Sequence, residues 1–466
     1  MWGRETPFHF IGIGGQSMSG LAQALSQLGF SVSGSDLHRN ERTEALRALG
    51  ILVSYGHSWA AVEGLAPQAV VVYTTDVPGD NPELGAARYR GLAVVHRSVV
   101  LNWFLEGNLR AGSTDPIAIT GTHGKTTTSA LIGYLLLRGG LDPSIFVATD
   151  LPYLGGNVHL GTGRAVVAEA DESDGSLLAY HPLWTVMTNV EPEHLEHYDD
   201  DFANVVTTME RFLDQIRPGG HAVLCADDAT LWTIGQDRPD VLWYGLGPRA
   251  ELTARDVRLG EVSTFTVRRG EVELGSVALC IPGRHNVQNA LSAIGVALGY
   301  GMPFHQVQEI LPGFTGSARR FEVLGTFSGV AVITDYAHHP TEIRATLAAA
   351  RTRYRGRIIA VFQPHRYQRL YSLWDLFLGA FRDADHVIVT DPYGPAGTVR
   401  PEGRAVTDLV AGIRAGSGVD AAYVSDRAEI GKRCAALARS GDAVLFLGAG
   451  DIDAVGREWV DHLAMQ

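Results

Sequence analysis

The segment Ile117–Thr128, IAITGTHGKTTT, limits what this chain can be more than any other stretch. An apolar, β-branched run stops at Thr120, a small-residue turn follows, and SALIGYLLL continues in a helical pattern. Strand, glycine turn, Lys-Thr and helix together make a polyphosphate cradle. Glycines let backbone N–H groups converge, the lysine meets the outer phosphates, and the next hydroxyl ligates a hard cation. The helix start adds partial positive charge. Gly121, Thr122, His123, Gly124, Lys125, Thr126 and Thr127 are therefore the expected phosphate site. The usual pattern has a further glycine upstream, at the position taken here by Ile119, so this loop is a shortened one. An ordinary strand-to-helix turn is the competing reading. Lysine usage weighs against it, because lysine occurs only at Lys125 and Lys432 and arginine serves elsewhere.

The 466 residues suggest about three domains. With 45% hydrophobic and 19% charged residues, the chain has ample material for buried cores. A formal net charge of −13 argues against a general nucleic-acid binder. Cys225, Cys280 and Cys434 are odd in number and far apart, which indicates neither a disulfide framework nor a zinc site. The start, MWGRETPFHF, lacks a basic region followed by an apolar one, and no apolar run is long enough to span a bilayer. A cytoplasmic protein without membrane insertion is expected.

The first region, residues 1–111, begins βαβ: a strand FHFI, the glycine-rich turn GIGGQSMSG, a helix, and a strand ending at Asp36. Gly14, Gly15, Ser17, Met18, Ser19 and Asp36 read as a diphosphate-nucleotide turn. The readings open are a nicotinamide or flavin dinucleotide, another diphosphate nucleotide, or no ligand. Thr74 and Thr75 follow another strand at its carboxyl end, where open α/β sheets place ligands. Polar residues 106–116 mark a linker.

The central region, residues 112–314, carries the phosphate loop. A buried strand AVVA then runs into Glu169-Ala170-Asp171-Glu172-Ser173-Asp174. Acids this dense repel unless a cation sits near, and a carboxylate at a strand end beside a phosphate loop suits a metal. The strand WTVMTNV ends before His194, whose imidazole among carboxylates is a plausible metal ligand. Residues 241–281 read as a β meander. Asn286 and Asn289 share one helix face and suit either an adenine edge or simple capping. In the third region, residues 315–466, strand ends carry Asp335-Tyr336-Ala337-His338-His339 and His365-Arg366-Tyr367-Gln368-Arg369, after a hinge-like loop with Arg319 and Arg320.

These motifs, in this order, resemble the Mur ligase family over essentially the whole chain: GIGGQSMSGLA with SGSD, TGTHGKTTT, AEADESDGSLL, TNVEPEHLEHY, GRHNVQNALSA, GSARRFE, DYAHHPTE, VFQPHRYQR and GAGDI. The resemblance implies an α/β protein of three domains: Rossmann-like, P-loop ATPase, and Rossmann-like again. Within the family it points to the member that adds L-alanine to UDP-N-acetylmuramate. It implies ATP and Mg2+, with two ions expected and Mn2+ as a substitute. It assigns Lys125 and Thr126 to ATP phosphates, Thr126, Glu169 and His194 to metal, and Asn286, Asn289, Arg320 and Asp335 to ATP or activity. Tyr336, His338, His365, Arg366 and Arg369 are implied to line the amino-acid pocket, with the first glycine turn, Asp36, Thr74 and Thr75 by the UDP-sugar. Lys125, Glu169, His194, Arg320 and His338 are the expected catalytic set. A monomer or dimer acting on small molecules is expected. Ser17 departs from a usual glycine. Some members use a carbamylated lysine, but this chain has no lysine between Lys125 and Lys432, as in the alanine-adding member. The alternatives are a related ligase attaching a whole tripeptide to the same UDP-sugar and, from the first glycine turn, a nicotinamide-dependent oxidoreductase.

Overall fold

The computed structural model describes residues 2–107, 113–394 and 403–464. The expected boundary at 111/112 falls outside them. Among the described residues no helix is long and apolar enough to cross a membrane.

Among the described residues, three sheets are formed. The first contains β1 (Phe8–Ile11), β2 (Val32–Asp36), β3 (Leu52–Tyr55), β4 (Val70–Tyr73) and β5 (Ala93–His96) in the order β3-β2-β1-β4-β5. All its pairings are parallel. β1 is central, with β2 on one side and β4 on the other, so the glycine turn after β1 opens where the strand order reverses. A buried polar node braces this sheet. The Glu83 carboxylate is wholly inaccessible. It meets His9 Nε2 at 3.1 Å, accepts from Ser35 Oγ at 2.7 Å, and faces His57 Nδ1 at 3.4 Å and the Ser58 N–H at 3.3 Å.

The second sheet contains β6 (Asp115–Thr120), β7 (Ser144–Leu151), β8 (Gly156–His159), β9 (Ala165–Glu169), β10 (Trp184–Met187), β11 (His221–Cys225), β12 (Val241–Gly245), β13 (Leu252–Arg258), β14 (Ser263–Arg269) and β15 (Val272–Leu279). Its order is β15-β14-β13-β12-β11-β10-β6-β9-β7-β8. β6 runs between β10 and β9, parallel to both. The carboxyl ends of these strands therefore lie side by side. The first step of the expected meander departs from that reading: β12 and β13 pair in parallel, through Tyr244↔Leu252 and Gly245↔Thr253. The connection between them is held instead by Asp227, which accepts from Leu246 N and Gly247 N.

The third sheet contains β16 (Glu322–Phe327), β17 (Val330–Asp335), β18 (Ile358–Phe362), β19 (His386–Val389), β20 (Asp420–Tyr423) and β21 (Ala443–Leu447), ordered β16-β17-β21-β18-β19-β20. Its central strands β17, β21 and β18 are buried on both faces, which explains the unbroken apolar runs VAVIT, IIAVF and AVLFL. Ile333, Ala360, Phe362 and Leu445 join one core, while Val332, Val361, Val444 and Phe446 join the other, as the two-residue strand period requires.

By its internal contacts the chain divides into two compact units. One comprises Met1–Thr253, Val267–Leu274 and Asn289–Ile310; the other comprises Ala254–Thr266, Gly275–Gln288 and Leu311–Gln466.

Candidate active site

In the first unit the phosphate loop leaves β6 and enters the helix Lys125–Arg138. Gly124 is its N-cap at φ 85, with no side chain capping the helix, so its first-turn N–H groups are left for a ligand. Gly121 sits at φ 128, and a Cβ there would lie 2.2 Å from Thr188 Oγ1. Only glycine fits both the conformation and the space. Past the end of β10, Asn189 ties the loop down: its Oδ1 accepts from His123 N at 2.8 Å, its Nδ2 donates to His123 O at 3.0 Å, and its own carbonyl accepts from Thr122 N at 3.0 Å. The Glu191 N–H donates to Thr122 Oγ1 at 2.8 Å. His194 lies further along this same loop, in a left-handed conformation at φ 57. The His194 ring, with Nδ1 3.8 Å from Glu196 Oε1, and the backbone hold the Glu196 carboxyl down at about 2.

Thr126 Oγ1 donates to Glu169 Oε2 at 3.1 Å, and Glu169 Oε1 accepts from Ala148 N at 2.9 Å. A hydroxyl and an oriented carboxylate, both hard oxygen donors, fit Mg2+. The acidic run after β9 finds its cations within the chain. Arg97 Nη2 lies 2.7 Å from Asp171 Oδ2, and Lys125 Nζ lies 2.9 Å from Glu172. Burial opposes charge on Lys125, but Glu172 and Asp171 outweigh it and raise its pKa. Burial also raises Asp171, but Arg97 and Lys125 bring it to about 2. Lys125 Nζ further donates to Gly121 O at 2.6 Å, so the lysine is curled into its own loop.

A cleft of about 600 Å³, partly open to solvent, joins this loop to the first glycine turn. Ser17, Gly20, Leu21, Arg97 and Leu101 line it together with Lys125, Phe146, Asn157, Glu169 and Asp171. Asn157 Nδ2 donates to Gln16 O at 2.7 Å. In the turn, Gly12 N and Ile13 N donate to Ser35 O, Gly14 N to Asp36 Oδ2, and Gly15 N to Gly12 O. Those donors are spent on shaping the turn. The first-turn N–H groups of the helix Gln16–Gln27, around Ser17 and Met18, are the ones an anion would meet. Asp36 thus acts through Gly14, and Ser19 bonds back to Gln16 O. Thr75 Oγ1 donates to Asp174 Oδ2 at 3.0 Å; Thr74 adjoins it just past β4.

In the second unit, β17, β21 and β18 end together. Asp335 accepts from Phe321 N and Ala337 N at 2.7 Å, and burial raises its pKa. The guanidinium carbons of Arg319 and Arg320 each lie 4.9 Å from the centre of the Tyr336 ring. Tyr336, His338 and His365 stand edge to face in sequence, with ring centroids 5.3 and 5.7 Å apart. His338 Nδ1 lies 2.9 Å from Tyr336 O, which assigns its proton to Nδ1 and its basic lone pair to Nε2. Arg369 Nη1 donates to His365 Nδ1 at 3.1 Å, which puts the His365 proton on Nε2. Burial, then His338 and Arg369, drive His365 down to about 2. Arg366 caps the helix Tyr367–Ser372 at φ 63, with its N–H on Tyr393 O. On the helix Arg284–Gly299, Asn286 Nδ2 donates to Pro282 O at 2.7 Å. On the same helix Asn289, in the first unit, abuts the phosphate loop: a Cβ on Gly124 would stand 2.9 Å from its Oδ1.

Arg97, Asn157 and Asn189 are not among the candidates from sequence, and Asp171 and Glu172 figure there only as members of the acidic run. The acidic run itself was the signal that cations must come from somewhere. Their source, a residue far upstream in the chain, is visible only in the fold.

Three family models match the chain: "Mur ligase family, catalytic domain" over residues 7–108, "Mur ligase middle domain" over 119–297, and "Mur ligase, glutamate ligase domain" over 319–450. A UDP-N-acetylmuramate–L-alanine ligase from Symbiobacterium thermophilum is 48% identical over 96% of this chain and 93% of its own. One from Pelotomaculum thermopropionicum is 41% identical over 98% and 97%. Among solved structures, a UDP-N-acetylmuramate–alanine ligase from Thermotoga maritima superposes with TM-score 0.84 at 28% identity, covering 99% of this chain and 100% of that one. A murein peptide ligase from Psychrobacter arcticus shares the fold, with TM-score 0.72 at 22% identity and 98% coverage of each chain. The tripeptide-attaching and nicotinamide readings are not favoured by these relatives. With family models spanning most of its length and full-length relatives above 40% identity, the three-domain chain belongs to the Mur ligase family.

Proposed function

We propose that this protein joins L-alanine to the lactyl carboxylate of UDP-N-acetylmuramate, using ATP and releasing ADP and phosphate. Residues 1–111 serve the UDP-sugar, 112–314 ATP, and 315–466 the amino acid. The observation that carries this reading is the shared cleft: Ser17 of the first glycine turn and Lys125 of the phosphate loop line one cavity. A diphosphate sugar and a triphosphate can therefore meet there.

A lactyl carboxylate oxygen attacks the γ-phosphorus, the bond to the bridging oxygen breaks, and ADP leaves an acyl phosphate. The alanine nitrogen then attacks the acyl carbon, and phosphate departs as the amide forms. No protein nucleophile is needed, so the chain's work is positioning and neutralising charge. Lys125 exchanges Glu172 for the outer phosphates, and the helix start after Gly124 supplies N–H donors. Thr126 and Glu169 would hold Mg2+ (or Mn2+), and His194 a second ion; bound there, the metal offsets repulsion between carboxylate and triphosphate. Arg320 and Asp335 support the nucleotide, with Asn286 and Asn289. Arg366 and Arg369 clamp the alanine carboxylate, and His365 Nε2–H offers a further donor. His338 Nε2 accepts the amine proton. The substrates fit a cytoplasmic location, with a monomer or dimer as the working form.

Phosphate release is measured with ATP, UDP-N-acetylmuramate and L-alanine, omitting each in turn, and the product is weighed by mass spectrometry. Release that needs both co-substrates, with a product heavier by one alanyl residue, is expected. Turnover with an L-alanine-headed tripeptide but not with L-alanine overturns the assignment.

A further inference from the structure

The cleft holds a cation that neither the phosphate loop nor the amino-acid cluster explains. Arg97 opens the helix Arg97–Leu105 directly after β5, and its side chain is 11% exposed. Arg97 lines the same cavity as Ser17 and Lys125. Its bond to Asp171 runs from one nitrogen, Nη2, whereas a guanidinium fork is built to hold both oxygens of a carboxylate.

Consecutive acids hold the cavity's cations. Asp171 holds Arg97, and Glu172 holds Lys125. Each pair keeps a mostly buried cation matched with a counter-ion, because a buried arginine or lysine without one would be costly. Lys125 is committed to the triphosphate by its loop. An incoming sugar acid needs its own positive partner, and Arg97 lines the cavity together with Ser17. Leu21, Leu101 and Phe146 supply apolar surface beside it, suited to a lactyl methyl and a sugar face. Asp171 keeps 33% of its side chain exposed and also accepts from Ser173 N at 3.1 Å, so it has water and a backbone donor to fall back on. Replacing one carboxylate on Arg97 by another leaves the buried charge paired throughout.

We infer that Arg97 receives the lactyl carboxylate of the UDP-sugar, and that Asp171 holds it in reserve until that acid arrives. This rests on the function proposed above and names the residue that distinguishes the substrate by its acid. Arg97 is a substrate-binding residue that aims the carboxylate toward the phosphate at Lys125.

The test titrates UDP-N-acetylmuramate and UDP-N-acetylglucosamine, which lacks the lactyl acid, into the wild-type protein and into Arg97→Met, Arg97→Lys and Asp171→Asn. A charge-assisted bond of this kind corresponds to about 10- to 100-fold in affinity. Arg97→Met should lose that factor for the muramate while binding the glucosamine within about twofold of wild type. Arg97→Lys should recover part of the loss, and Asp171→Asn should tighten muramate binding several-fold. Equal weakening of both sugars by Arg97→Met and Arg97→Lys would make Arg97 a diphosphate or structural group and overturn the inference, as would no change in either. Muramate binding loosened by Asp171→Asn would overturn the exchange. If the wild-type protein bound neither sugar, the proposed function would fail first, and visibly so.

Discussion

Asn189→Ala tests whether the strand beside β6 holds the phosphate loop in working shape. The substitution removes the 2.8 Å bond from His123 N and the 3.0 Å bond to His123 O. Each is worth about 1 kcal/mol net. His123 O retains a second donor, Thr188 Oγ1, and Thr122 N keeps the Asn189 carbonyl. The expected loss is therefore about 1–2 kcal/mol rather than the full pair. Spread over ordered and disordered loop states, that raises the apparent dissociation constant of ATP about 5- to 30-fold. UDP-sugar affinity should stay unchanged, because its turn is shaped by Ser35 and Asp36 instead. Calorimetric titration of each nucleotide measures both. Asn189→Asp keeps an acceptor for His123 N–H but puts a negative charge beside the triphosphate and a second acceptor against His123 O. It should bind ATP more weakly than the alanine variant. An ATP affinity within twofold of wild type for Asn189→Ala, with unchanged turnover, would show that the loop holds its shape without this brace.

Other expectations follow from the same geometry. Lys125→Ala should abolish product yet leave UDP-sugar binding nearly intact; amide formed at a normal rate would remove Lys125 from the phosphate site. Arg366→Lys should raise the KM for alanine far more than that for ATP, since a lysine cannot grip a carboxylate bidentately; equal effects would move Arg366 out of the amino-acid pocket. Acid should weaken the C-terminal fold. Burial drives His365 to about 2 and His285 to about 4, so below pH 6.5 the unfolded chain takes up protons that the folded one refuses. Stability from these groups is complete above that pH and falls as pH drops, by about 1–2 kcal/mol for His365 between pH 7 and 5, discounted for its partial exposure. Urea unfolding of His365→Asn at both pH values should show a flatter dependence, and an unchanged slope would refute the assignment.

The parts of this molecule that were legible in sequence are those whose chemistry is local. The strand, glycine turn and helix around Lys125 were readable because glycine, lysine and threonine stand together there. The glycine turn after β1 and the doubly buried strands of the third sheet were readable for similar reasons. What sequence did not show depends on neighbours brought together by the sheets. Arg97 is unremarkable until the fold sets it against Asp171. Asn189 matters because β10 lies alongside β6. The parallel step from β12 to β13 was missed because alternation reports burial, not strand direction. The position of Asp36 was legible but its work was not: the carboxylate holds Gly14 N, an indirect service.

The carboxylate of Glu83 has a consequence for anyone who recombines this lobe with a relative's. One side chain with no solvent contact touches groups from β1, from β2 and from the segment after β3. Exchanging any one of those segments alone would strand an ion in oil, whereas moving residues from His9 to Glu83 as a single cassette keeps every partner. Chimeras cut inside that span should misfold, and those cut beyond it should not.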